Sequence, residues 1–256
     1  VTQMAAFSSV QIGGFSSSQI NSMTTGQLNA LSTGVIAGLS EYQFAGVSST
    51  QLTALSTSQI NAITTTVIGT LTGAQLKGLT ATQIASMSTT TFGGLTSAEL
   101  GLLATSQIKA ISTTDFADIT VTQLAGLTAS QMAQLSTSQI GSLSTTSVAG
   151  LTATQLAGLT TTQLNSFSTT VLAALTPDQI AGLTSRQVQG LSTTNISALT
   201  STQIEALTPL QVRSLTSTDI IHLTTDQIAN MSAAQSALLE TRDVAVLSSA
   251  CWAPRS

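Results

Sequence analysis

The sequence is short of charge. Only 6% of its 256 residues are Asp, Glu, Lys or Arg, and the net charge is −4. That leaves no basic footprint for a nucleic-acid partner. Aromatic residues make up 3%. The single cysteine, Cys251, excludes an internal disulfide framework and a CxxC metal site. It fits a reducing or an oxidising compartment equally. His222 is the only histidine, so a histidine metal cluster is excluded. Long apolar runs are missing too. Ser or Thr interrupts every few positions, and no stretch approaches the roughly 18 residues of a membrane span. The sequence opens on Val1, and no basic and apolar signal region follows. The expectation is a processed chain or a piece of a longer one.

Ser, Thr, Ala, Leu, Ile, Gln and Gly fill the space. Disorder does not follow from the hydroxyl content, because 42% of residues are apolar and charge is low. Disordered chains show the reverse balance. The chain is instead periodic. Aligned on its leucines, it reads as 31 consecutive octapeptides from Phe7 to Pro254 with no insertion. The consensus is L-[ST]-x-x-Q-[IL]-x-[AGS]. Position 1 is apolar in all 31, and position 2 is Ser or Thr in 29, the exceptions being Ala104 and Glu240. Position 5 is Gln in 20, and position 6 is apolar in 30, failing at Ser236.

The unit has a physical meaning. Ser or Thr three residues before Gln is a capping box, in which the hydroxyl accepts from the N3 amide and the Gln side chain reaches the N-cap amide. Apolar residues just before the cap and at N4 form a hydrophobic staple. Positions 1, 2, 5 and 6 fill those four roles. Pro177 and Pro209 both fall at position 3, which is N1, where proline removes no needed donor. Small residues at position 8 are expected to let the chain turn sharply and neighbouring backbones approach. Each octapeptide thus predicts a helix of about one and a half turns, too short to persist alone. It needs neighbours to stack on, which is the logic of an all-α solenoid. The rival is a β-solenoid, since eight is even and strand faces would keep their parity. Positions 1 and 6 have opposite parity, however, and position 3 accepts proline, which a central strand does not.

A longer period overlies the first. Position 5 departs from Gln at Val35, Val67, Thr91, Asp115, Ser147, Val171, Asn195, Asp219 and Asp243, spaced by 24 residues except for two gaps of 32. Glu99 and Cys251 fall outside the series. Duplication history is one explanation. The other is three units per superhelical turn, which stacks residues 24 apart into columns. The last octapeptides are degenerate and hold the only Trp and Cys. Residues 1–230 are therefore expected to form the solenoid, and 231–256 a C-terminal cap. Joined head to tail, "RS" and "VTQMAA" complete one more octapeptide. Val1, Gln3, Met4, Trp252, Arg255 and Ser256 are the candidate head-to-tail interface. Such an interface, if it does not close, gives a filament.

Chemistry is sparse. Asp219 and Asp226 flank His222, but any histidine here would have such neighbours, and a surface role at position 8 is the simpler reading. Asp115 and Asp118 lack the Gly-Asp spacing of calcium β-rolls. There is no Gly-rich loop followed by Lys. Cys251 beside Trp252 reads as buried in the cap. Met23, Met87 and Met231 stand in for leucine at position 1. Ser and Thr at positions 3 and 4 would recur at fixed spacing, as solubilising positions or as a hydroxyl face for ice or polysaccharide.

Segments such as "LTATQLAGLTTTQL" (151–164) and "LTTDQIANMS" (223–232) resemble the octapeptide repeats of very large secreted or surface proteins of Gram-negative bacteria. The resemblance covers essentially the whole chain. It implies an extracellular or cell-surface, non-enzymatic role, structural or adhesive, and brings no catalytic residues. The leading expectation is a rod, filament or sheath subunit built by head-to-tail stacking, with no cofactor and copies of itself as partner. The alternative is an adhesin stalk or a hydroxyl-faced module with a glycan or another surface ligand.

Overall fold

The computed structural model describes residues 4–239. Among them are 29 α-helices, each four to six residues long, one per octapeptide, after a 3-10 turn at Met4–Ala6. There is no strand among the described residues, so the β-solenoid is set aside. The chain falls into two compact units, Val1–Gln134 and Leu135–Ser256. Both are built by the same rules.

Each helix starts where the capping box puts it. Thr176 is extended at φ −71°, ψ 156°, its hydroxyl accepts from the Gln179 amide, and Pro177 occupies the first helical turn. Thr208 and Pro209 repeat the arrangement. Ala104 has no side-chain acceptor; its helix keeps only the other half of the box, the Ala104 amide donating to Gln107 Oε1 at 2.8 Å. The helix ends when position 1 of the next unit turns extended, as at Leu79 (φ −68°, ψ 129°), whose amide still donates to the Leu76 carbonyl.

The corners do not use left-handed glycine. No described residue has positive φ, and Gly182 at a helix end sits at φ −78°, ψ −11°. The expected sharp turn at position 8 is therefore made by ordinary right-handed and extended backbone. The small residue is needed for close approach. A Cβ on Gly46 would land on the Ser17 carbonyl, and one on Gly126 on the Ser97 carbonyl. In both cases position 8 backs onto position 3 of the unit three octapeptides earlier.

Stacking follows that rule. In the first unit the helix Ser49–Ala54 packs on Thr25–Asn29 and on Gly73–Gly78; in the second, Thr193–Ala198 packs on Thr169–Ala173 and on Ser217–His222. Helices three octapeptides apart are neighbours, so each unit is a solenoid with three helices per turn and residues 24 apart form columns. Positions 1 and 6 face inward: Leu76 and Leu79 in the first unit and Ile180 and Leu183 in the second are all buried. Met87 and Met231 are buried in the same row, and Met23 is half-buried. Of the expected C-terminal cap, only 231–239 is described, with a helix at Ala233–Ser236. Residues 240–256 lie outside the described residues.

Candidate functional site

The polar side chain that works hardest in the repeat is the glutamine of position 5. From Gln43 onward these glutamines are buried, an unusual place for so polar a side chain. A primary amide carries one acceptor oxygen and two donor hydrogens, and the solenoid uses both ends. Gln107 Oε1 takes the Ala104 amide at 2.8 Å, while its Nε2 donates to the carbonyls of Leu76 at 2.6 Å and Leu79 at 2.7 Å. In the second unit Gln211 takes the Thr208 amide at 2.7 Å and donates to Ile180 at 2.8 Å and Leu183 at 2.7 Å. The carbonyls lie 31 and 28 residues back in sequence, at the C-terminal end of a helix on the preceding turn. A helix leaves its last carbonyls without internal partners. One side chain therefore caps the N-terminus of its own helix and the C-terminus of another.

Sequence reasoning recognised only the first half of this role. The signal for the second was present: the box accepts Glu as well as Gln, yet within the array position 5 holds 20 Gln and a single Glu. Only the amide has hydrogens to give the carbonyls.

The departures show what is lost. Glu99 keeps the box, accepting from the Thr96 amide at 2.7 Å and hydroxyl at 2.9 Å through Oε2, but its buried Oε1 has no partner. Asp115 accepts from the Ser112 hydroxyl at 2.7 Å through Oδ2, and its Oδ1 is buried without a partner. Burial pushes the Asp115 carboxyl above its ordinary pKa, and Asp118 adds to the rise, while hydrogen bonds from Ser112 oppose it. Asp219 is shorter but still reaches the Thr216 amide at 2.7 Å.

A second ladder runs outside the first. Position 7 side chains donate to position 8 carbonyls 25 residues on: Asn21 to Gly46 at 2.8 Å and Thr53 to Gly78 at 2.6 Å in the first unit, Asn165 to Gly190 and Ser197 to His222, both at 2.8 Å, in the second. The surface between stacked helices holds shallow grooves. One of about 560 Å³ is lined by small residues such as Ser97, Ala98, Gly101 and Ala125, together with Val121.

Of the candidate interface residues, Met4 is half-buried in its 3-10 turn. Val1, Gln3, Trp252, Arg255 and Ser256 lie outside the described residues, as does Cys251. His222 is exposed, with Nδ1 2.8 Å from the Thr218 carbonyl, while Asp219 serves the cap at Thr216. No serine, histidine and aspartate are drawn together there by these bonds. Among the described residues no group of three His, Cys, Asp or Glu could hold a metal ion, and no helix is long and apolar enough to cross a membrane.

The model of the ALTTAQ repeat matches residues 2–33, 108–145, 148–185, 172–209 and 185–217, together more than half of the chain. The chain belongs to the ALTTAQ repeat family. No curated protein matches the sequence. The ALTTAQ array can thus be described by what its geometry does: it fastens each turn to the next through neutral, buried amides.

Proposed function

We propose that the ALTTAQ array is a non-enzymatic structural element of the cell exterior, serving as a stalk or as the subunit of a filament or sheath. The observation that carries this reading is the buried glutamine ladder. The same neutral cross-turn bonds recur in both units, and the polar interior they create is spent on holding turns together. A charge content of 6% leaves little for substrate chemistry. The resemblance to repeats of large secreted and surface proteins of Gram-negative bacteria supports the location.

Self-association deepens the reading. From Gln43 onward, many glutamines donate to carbonyls of the preceding turn, as Gln43 does to Ile12 and Phe15. Stacked copies of the array would extend the same ladder, which is the filament form of the proposal. Negative-stain electron microscopy and sedimentation of the purified protein over a range of concentrations test this. Fibres or a concentration-dependent series of oligomers are expected; monodisperse monomers at high concentration would sink the filament form and leave the stalk.

A hydroxyl-faced binding module is the second reading. It is favoured by the exposed pairs Thr89–Thr90 and Thr113–Thr114 in the first unit, and Thr145–Thr146 and Thr169–Thr170 in the second, each 24 residues apart. Thermal hysteresis and glycan-array binding are its tests, and a negative result in both removes it.

A further inference from the structure

Nearly identical octapeptides pose a problem of register. If the chain slipped by one unit, leucine would still meet leucine and a glutamine would still find carbonyls. Two asparagines break that degeneracy. Asn61 holds the corner of residues 86–88 from the preceding turn: its Nδ2 donates to the Ser86 carbonyl and its Oδ1 accepts from the Ser88 amide, both at 2.7 Å. Asn165 holds the corner of 190–192 in the same way, with Nδ2 on the Gly190 carbonyl at 2.8 Å and Oδ1 on the Ser192 amide at 2.7 Å.

Ser88 and Ser192 are N-cap residues, and in most units that amide belongs to the glutamine of the same box. These two helices have no such glutamine; position 5 is Thr91 in one and Asn195 in the other. Asn195 Nδ2 instead donates to Asn165 Oδ1 at 3.1 Å. Asn21 supplies the contrast. It occupies the same position and reaches the Gly46 carbonyl, but the Ser48 amide is already bonded to Gln51 Oε1 at 2.8 Å, and Asn21 holds the corner by one bond only. The two-point hold therefore forms where the facing unit lacks its glutamine.

We infer that Asn61 with Ser88, and Asn165 with Ser192, are register keys: caps supplied by another turn that are lost when the chain slips by one octapeptide. A slip of one octapeptide would set Asn165 against Thr184 or Thr200, whose amides Gln187 and Gln203 already occupy, both at 2.8 Å. Ser192 would then face Ala157 or Ala173, which offer no acceptor. In coiled coils a buried polar residue fixes register. Here Asn61 is half-buried and Asn165 exposed, and both act between turns of one chain as positioning residues.

The test is a set of variants of the full chain. In Asn165→Ala the Ser192 amide should exchange with solvent roughly three- to tenfold faster, the size expected for losing one exposed hydrogen bond. Asn21→Ala should leave the Ser48 amide unchanged. Adding Asn195→Gln to Asn165→Ala should restore protection, because the new Oε1 takes the amide back. Spin labels one turn apart across that contact, at the exposed Thr162 and Arg186 with Cys251 replaced, should give one distance in the parent and a second population in Asn165→Ala. The cap is overturned if Asn165→Ala costs no more protection than Asn21→Ala, or if glutamine at 195 fails to rescue it. A folded Asn165→Ala that keeps the single parent distance overturns the register role. If Asn165→Ala does not fold, the rescued chain decides: folding with a second label distance supports the key, and folding with the single parent distance, or failure to fold, rejects it.

Discussion

Glutamine at position 5 shows how one side chain can hold a repeat together. Burying a Leu or Ile is worth about 1.5–3 kcal/mol, against a net of roughly 0.5–1.5 kcal/mol for a hydrogen bond. The apolar rows at positions 1 and 6 therefore drive the fold. The amide decides the arrangement, because leaving a buried polar atom unmatched costs more than making the bond gains. Glu99 exposes that cost. Its Oε1 lies unpartnered in the interior, where by the ladder's spacing an amide would meet the Ile68 and Leu71 carbonyls. Glu99→Gln should stabilise the protein by about 1–3 kcal/mol at neutral pH. It would appear as a higher urea midpoint with an unchanged slope; a lower midpoint would show that the site does not accept a rung. Asp115 gives a pH test. Burial raises its pKa, so the folded state binds the proton more readily than the unfolded chain. Its contribution is fully present below the ordinary carboxylate pKa, about 3.9, and is lost as pH rises through the folded value. Asp115→Asn should therefore gain on the parent as pH is raised from about 4 to 7, measured by urea melts at both values. A difference that shrinks with pH would contradict the assignment.

At the scale of the helix, most of the structure could be read from eight letters. Thr176, Pro177 and Gln179 announce an N-terminus, and the helix begins at Pro177. The 24-residue period of the position 5 departures foretold three helices per turn, and Val67, Thr91 and Asp115 lie on three successively stacked helices. Position 8 was legible in part. The expected close approach of backbones is there, as at Gly126 against Ser97, but the corner needs no special glycine conformation, since no described residue has positive φ. The second use of glutamine was not legible: its carbonyl partners lie 28 and 31 residues away, and a capping box explains the residue without them. The candidate interface stayed out of reach because five of its six residues fall outside the described part of the chain.

For the whole molecule, the forces identified are short in range and neutral: apolar rows, hydroxyl caps and amide rungs. Charged residues are 6% of the sequence, with six basic against ten acidic. Surface ion pairs in such a chain are too few to matter, since each is worth only about 0–1 kcal/mol. The small net charge also leaves little self-repulsion for salt to relieve. Raising ionic strength from about 0.01 to 0.1 M cuts the screening length from roughly 30 to 10 Å. The thermal midpoint, followed by the helical circular dichroism signal, should stay within about 2 °C across that range. A denaturant should behave differently, because urea solvates both apolar and peptide groups and so attacks the rows and the rungs together. A midpoint that climbs or falls by many degrees with dilute salt would mean that charge organises the stack, and that the ladder of neutral amides is secondary to it.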